Sequence, residues 1–232
     1  MAEEWKFIMK IKVKRQDSAG EKPYWQTFDF EGNGRITVAG ILDQLNYRDD
    51  LEDENGRPCR RIKWECSCMQ KSCGGCAMVI NGQPALACGE FIDTDNEKIL
   101  VLEPLTKFPV VTDLVVDRSV IQEYQKAAMM YLGERAAPDK KEFQHQYSAA
   151  KCLKCGLCLE ICPNYTKDSK KFFGAAFANS AYLLYSSSED RKKEIKKEYK
   201  KHFSAGCSKS LACRDICPAH IPTLSSIGYM NR

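Results

Sequence analysis

Apolar and charged residues alternate at the start of the chain: Trp5, Phe7, Met9, Ile11 and Val13 are interleaved with Lys6, Lys10, Lys12 and Lys14. A period of two predicts a half-buried β-strand. A second strand is expected near Tyr24–Phe30, ending in the turn Gly32-Asn33-Gly34. Val38, Ile41, Leu42 and Leu45 then recur at helical spacing behind Thr37, a suitable N-cap. Ala77–Ile80 and Ala85–Ala87 flank Asn81-Gly82, a strong hairpin signal. Ile99–Leu102 supplies another strand, closed by Pro104. Beyond it the pattern becomes helical. Ser119 and Gln122 fit a capping box ahead of an apolar face of Val120, Ile121, Tyr124, Ala127, Ala128 and Tyr131, with Gly133 as the stop. Two further helices are expected over Lys171–Tyr185 and Glu189–His202. The expected fold class is therefore α+β, with a strand-rich domain over 1–105 and a helical domain over 106–232.

A length of 232 residues suits one or two domains, and 44% hydrophobic residues allow a core and exclude disorder. No apolar run approaches the roughly 20 residues of a membrane span. The alternating N-terminus is unlike a secretory signal peptide, so membrane association is expected only through partners. A net charge of +4 gives no case for nucleic acid. Much of the excess sits in Arg191–Lys201, RKKEIKKEYKK, whose mixed signs suit a solvated helix face with pairs such as Glu189–Lys193.

Thirteen cysteines change the picture. Without an export signal they point to metal rather than disulfides. Cys68, Cys73, Cys76 and Cys88 fall as C-x4-C-x2-C-x11-C, and the first three have the plant-type ferredoxin spacing for a 2Fe-2S cluster. Thiolates are soft anionic ligands that hold iron in both redox states. Gly74 and Gly75 let the backbone approach and turn its N–H groups to sulfur, which tunes the potential. A structural zinc site is the alternative, but zinc usually pairs two CxxC knuckles and this group has one. Cys59 and Cys66 are left over as nonligand thiols.

CLKCGLCLEICP places Cys152, Cys155, Cys158 and Cys162 in the bacterial ferredoxin run, in which the fourth cysteine serves the other cluster. GCSKSLACRDICP supplies Cys207, Cys213 and Cys217, with Ser210 where the middle cysteine would fall. Reciprocal crossing assigns Cys152, Cys155, Cys158 and Cys217 to a 4Fe-4S cluster. It leaves Cys162, Cys207 and Cys213, which most simply hold a 3Fe-4S cluster; a four-iron cluster with a serine or water oxygen on the fourth iron is the competing reading. Pro163 and Pro218 should end the short ligand helices.

This order of motifs resembles the iron–sulfur subunit of succinate dehydrogenase and fumarate reductase, from about Trp5 to Ile227. The segment EPLTKFPVVTDLVVDRS, Glu103–Ser119, is similar to that family's interdomain segment. The resemblance implies a plant-type ferredoxin (β-grasp) domain docked on an FAD flavoprotein and an α-helical ferredoxin domain facing a quinone-binding membrane anchor. It also implies electron transfer between flavin and quinone, at the cytoplasmic face of the membrane. The likeness is to a divergent, fumarate reductase-like member. Met69-Gln70-Lys71-Ser72 replaces the usual Arg-Glu-Gly stretch, Tyr165 stands where respiratory enzymes carry tryptophans, and Ser208 replaces a frequent histidine. The same wire on another flavoprotein is the alternative function. No catalytic residue, P-loop or dinucleotide motif is expected. His145, His202 and His220 form no metal motif and should be surface or capping residues, with a quinone or haem contact as the other option for His220.

Overall fold

The structure is a computed structural model that describes residues 8–32 and 34–232; Trp5, Phe7 and Asn33 lie outside the described residues. The chain divides into two units, Met1–Asp117 and Arg118–Arg232.

In the first unit, strand β1 (Ile8–Arg15) pairs antiparallel with β2 (Tyr24–Glu31) over its whole length, from Ile8 opposite Glu31 to Arg15 opposite Tyr24. Its other edge runs parallel to β7 (Ile99–Glu103). β4 (Ala77–Ile80) and β5 (Gln83–Leu86) complete a five-stranded sheet ordered β2-β1-β7-β4-β5. The alternation in β1 has the physical cause read from the sequence: Met9, Ile11 and Val13 are fully buried, each burial favouring the fold by about 1.5–3 kcal/mol. Helix α1 (Val38–Asn46) is capped by the Thr37 hydroxyl, which accepts from the Gly40 amide, and buries Val38, Ile41, Leu42 and Leu45. The β4–β5 hairpin turns at Asn81 and Gly82 with φ of +47° and +79°, values asparagine and glycine tolerate best. Short strands β3 (Arg35–Thr37) and β6 (Phe91–Asp93) pair with each other, as do β8 (Val110–Thr112) and β9 (Val115–Val116).

The second unit is helical, with α2 (Val120–Ala127), α3 (Phe143–Ala150), α4 (Leu157–Glu160), α5 (Gly174–Ser187), α6 (Lys192–Tyr199), α7 (Ala212–Asp215) and α8 (Thr223–Met230). A π-helical turn, Lys200–Ser204, continues α6. The α+β class is thus built as a β-grasp unit followed by a helical one.

Three expectations need correction. Ser119 has helical dihedrals and makes no side-chain cap bond, so the capping box does not form; its carbonyl instead accepts from the Gln122 and Glu123 amides. α2 stops at Ala127, well before Gly133, and Tyr131 is exposed. Gly133 serves packing instead: a Cβ there would collide with Asp190 and Arg191, and the next amide, of Glu134, donates to Asp190 Oδ1 at 2.8 Å. His202 is a core residue, stacked on Phe173 with centroids 4.0 Å apart.

Candidate iron–sulfur sites

The first cysteine group occupies the loop between α1 and β4 and the turn after β5. Its sulfurs come as two pairs. Cys76 and Cys88 are buried with sulfurs 3.4 Å apart, while the exposed Cys73 comes close enough to Cys68 to help lower its thiol. Backbone amides point at them. Gln70 and Ser72 donate to Cys68 Sγ at 3.5 and 3.2 Å, Lys71 to Cys88 Sγ at 3.2 Å, and Gly75 to Cys73 Sγ at 3.4 Å. Turning so many N–H groups inward requires left-handed backbone, and Met69, Lys71 and Gly74 have φ of +55°, +59° and +78°. Two of these are not glycine, which costs conformational energy that the loop must recover elsewhere.

The amides of Gln70 and Ser72 lower the Cys68 thiol to about 7, whereas burial pushes Cys76 up to about 12. A thiol raised this far becomes a thiolate only beside a cation. Paired sulfurs, inward amides and buried thiols together fit a two-iron cluster, each iron taking two thiolates. Among the described residues, no three His, Cys, Asp or Glu groups converge as tightly as a single ion requires.

Of the remaining thiols, Cys59 donates to the Leu51 carbonyl at 3.2 Å, a local structural bond. Cys66 is exposed, 3.1 Å from the Met69 sulfur, and close enough to Cys73, Cys88 and Cys68 to feel their charge.

In the helical unit the two runs come together. Cys155, Cys152 and Cys217 all act electrostatically on Cys158, as does Cys213; Cys152 and Cys217 act likewise on Cys155. Cys213 in turn feels Cys162 and Cys207. Burial raises Cys155 to about 11 and Cys158 well above the ordinary thiol value. The Arg118 guanidinium donates to the Cys155 carbonyl at 3.5 Å, and the Ile221 amide donates to Cys217 Sγ at 3.4 Å. α4 and α7 each end before the Cys-Pro pair that follows. Cys162, Cys207, Ser210 and Cys213 line a cavity of about 60 Å³ whose other walls include Phe172 and Phe203. Tyr165, just past Cys162, points inward. It is almost fully buried, its hydroxyl 3.1 Å from that of Tyr124.

Comparison with known proteins follows the same division. Residues 10–123 match the 2Fe-2S iron-sulfur cluster binding domain, and residues 148–221 match the 4Fe-4S dicluster domain. The succinate dehydrogenase iron-sulfur subunit of Bacillus subtilis is 31% identical over 231 residues, covering 95% of this chain and 90% of the relative. The chain belongs to the succinate dehydrogenase/fumarate reductase iron–sulfur subunit family. The fumarate reductase iron-sulfur subunit of Wolinella succinogenes is 27% identical, covering 97% of this chain and 96% of the relative. In fold, the chain matches a subunit of the Mycobacterium smegmatis Sdh1 complex in the apo form, with a TM-score of 0.73 at 22% identity over 97% of this chain and 95% of that one. As a member of this family it is an oxidoreductase subunit with 2Fe-2S and 4Fe-4S binding domains. Among the described residues, no helix is long and apolar enough to cross a membrane.

The cysteine groups were visible as spacing. The inward amide of Gly75 was expected from its glycine, but those of Gln70, Lys71 and Ser72 were not, because left-handed φ at Met69 and Lys71 has no sequence signature in these residue types.

Proposed function

We propose that this chain relays single electrons between a flavoprotein subunit and a quinone-binding membrane anchor, as the iron–sulfur subunit of a succinate dehydrogenase or fumarate reductase. Eleven cysteines hold three clusters in this reading. Cys68, Cys73, Cys76 and Cys88 hold the 2Fe-2S cluster, Cys152, Cys155, Cys158 and Cys217 the 4Fe-4S cluster, and Cys162, Cys207 and Cys213 the 3Fe-4S cluster. The plant-type ferredoxin domain extends over about 1–105 and the helical ferredoxin domain over about 106–232. The chain sits peripherally at the cytoplasmic face of the membrane, through its partner subunits.

The observation that carries the reading is the approach of the two runs: Cys162 of the first lines one cavity with Cys207, Ser210 and Cys213 of the second, while Cys217 and Cys213 act electrostatically on Cys158, and Cys217 on Cys155. That approach supports the reciprocal crossing a two-cluster ferredoxin needs. Bound clusters supply one-electron redox chemistry, and the protein sets their potentials. Amides directed at sulfur and the nearby Arg118 cation favour the more negative, reduced state, while burial opposes it. No residue here is asked to act as acid, base or nucleophile. Tyr165 faces inward, so it is not the residue that would meet a quinone.

Electron paramagnetic resonance of the anaerobically purified full chain, with iron and zinc counted, tests the reading. A three-iron signal when oxidised, a 2Fe-2S signal on reduction and about nine irons per chain are expected. Ser210→Cys should convert the three-iron signal to a four-iron one. Bound zinc without these signals would overturn the redox reading, and an unchanged three-iron spectrum in Ser210→Cys would overturn the third-site assignment.

A further inference from the structure

The two cysteine runs repeat one another in backbone as well as in spacing. Lys154 and Gly156, with φ of +54° and +89°, flank Cys155; Lys209 and Leu211, with φ of +58° and +64°, flank Ser210. Each run then enters a four-residue helix, α4 or α7. The loop around Ser210 therefore keeps the left-handed pattern of a loop that presents a thiolate, although it presents none.

Two exchanges separate the repeats at this corner. Serine replaces cysteine, and leucine replaces glycine. The second is the unexpected one. Glycine adopts left-handed backbone freely, whereas a Cβ crowds the following carbonyl, so leucine is among the residues this conformation disfavours. Leu211 must be held there by its surroundings. Its side chain lines the cavity formed by Cys162, Cys207, Cys213, Phe172 and Phe203, and it remains 38% exposed. It thus has one side on the cavity and the other on the outside.

We infer that Leu211 is a positioning residue, a hydrocarbon shutter that closes the Ser210 corner of the third site and keeps exogenous iron and small ligands from completing a four-iron cluster. The inference rests on the three-thiolate reading of Cys162, Cys207 and Cys213. A site with three protein thiolates and an open corner can gain an iron whenever iron and any external ligand reach it. Replacing the thiolate by Ser210 removes the internal ligand, and Leu211 removes the path for an external one. Glycine at the same position would satisfy the backbone better and leave the corner open.

The test uses the full chain, purified anaerobically with its clusters, as wild type, Leu211→Gly and Leu211→Asn. Asparagine tolerates left-handed backbone and holds the loop in place should glycine loosen it. Each protein is incubated with dithionite, excess ferrous iron and 2-mercaptoethanol, then desalted, and its iron and paramagnetic signals are measured. In the reaction probed, dithionite reduces the three-iron core by one electron. One ferrous ion then adds, the thiol binds it as thiolate, and the thiol proton passes to buffer. Wild type should keep its three-iron signal on reoxidation. Both variants should lose it at least fivefold and rise from about nine to about ten irons per chain. Equal retention of the three-iron signal in all three proteins, or equal iron uptake by wild type, would overturn the shutter. A wild type that never shows a three-iron signal would overturn the three-thiolate site itself, a result visible before any iron is added.

Discussion

Asp113 is a fully buried carboxylate with φ of +44°, and it gathers charges from distant parts of the first unit. Arg15 Nε, itself fully buried, donates to Oδ1 at 2.9 Å, and Arg60 Nη1 donates to Oδ2 at 2.6 Å. The amides of Gln16 and Lys63 add bonds of 3.1 and 2.9 Å. This ties β1 and the β8–β9 turn to residues 60–63, the stretch that leads into the first cysteine loop. A satisfied buried pair adds little net stability, but removing one partner strands the other charge, at a cost of about 3–5 kcal/mol. Asp113→Ala should therefore lower the unfolding free energy of the first unit by about that amount, as read by denaturant titration. Burial raises the Asp113 pKa, but the bonds from Arg60, Arg15 and the Lys63 amide outweigh it, leaving the carboxylate below its ordinary value. Its contribution is then complete above the unfolded carboxylate value and is lost as pH falls through the lower folded one. Asp113→Asn should lower stability across the neutral range, where the carboxylate's contribution is complete, and flatten that acid limb. Arg15 and Asp113 are 98 residues apart, so neither their pairing nor its role was readable from local pattern.

The elements that were legible in the sequence are those with a local cause. β1 alternates because one face is buried, α1 begins where the Thr37 hydroxyl can accept, and the β4–β5 turn falls on Asn81-Gly82. Three-residue strands such as β3 and β6 have no measurable period, and α3 has only Ala149 fully buried, so nothing in their sequences stood out. α2 closes where Met129 takes a left-handed φ of +48° and the Met130 amide donates back to the Gln125 carbonyl, and methionine gives no stop signal in the sequence. α5 shows a different logic. Ala175, Ala176, Ala178 and Ala181 are all buried, and the helix packs against α2, α3, α4, α6 and α8. Small side chains permit that crowding on several sides at once, so its hydrophobicity is spread around the helix instead of marking one face. Ala178 is fully buried, and close-packed interiors leave little space for a larger residue. Ala178→Leu should destabilise the helical unit by about 1–3 kcal/mol through overpacking, detected as earlier thermal loss of its cluster absorbance. An unchanged midpoint would show that α5 tolerates displacement.

At the scale of the whole molecule, the two units meet the entropy of folding by different means. The first owns a five-stranded sheet with Met9, Ile11, Val13, Phe28, Leu100 and Leu102 buried, and none of these side chains is a proposed cluster ligand. The second sets its cysteines on loops and on α4 and α7, helices of four residues each. Helices this short cannot recover their own nucleation cost, and buried thiols such as Cys158 repel one another once ionised. Metal binding supplies the missing free energy where ligand groups are brought together only in the folded state. Stripping the clusters by oxidation in the presence of a chelator should therefore affect the units unequally. Amides of β1 and β7 should keep their protection in hydrogen exchange, while those of α4, α5 and α7 exchange at least tenfold faster, equivalent to about 1.4 kcal/mol of lost local stability. The cysteine loop before β4 should also loosen, without taking the sheet with it. If β1 and α5 lost protection together and to the same degree, folding of the sheet too would depend on its cluster, and the apolar core of the first unit would be insufficient to hold it.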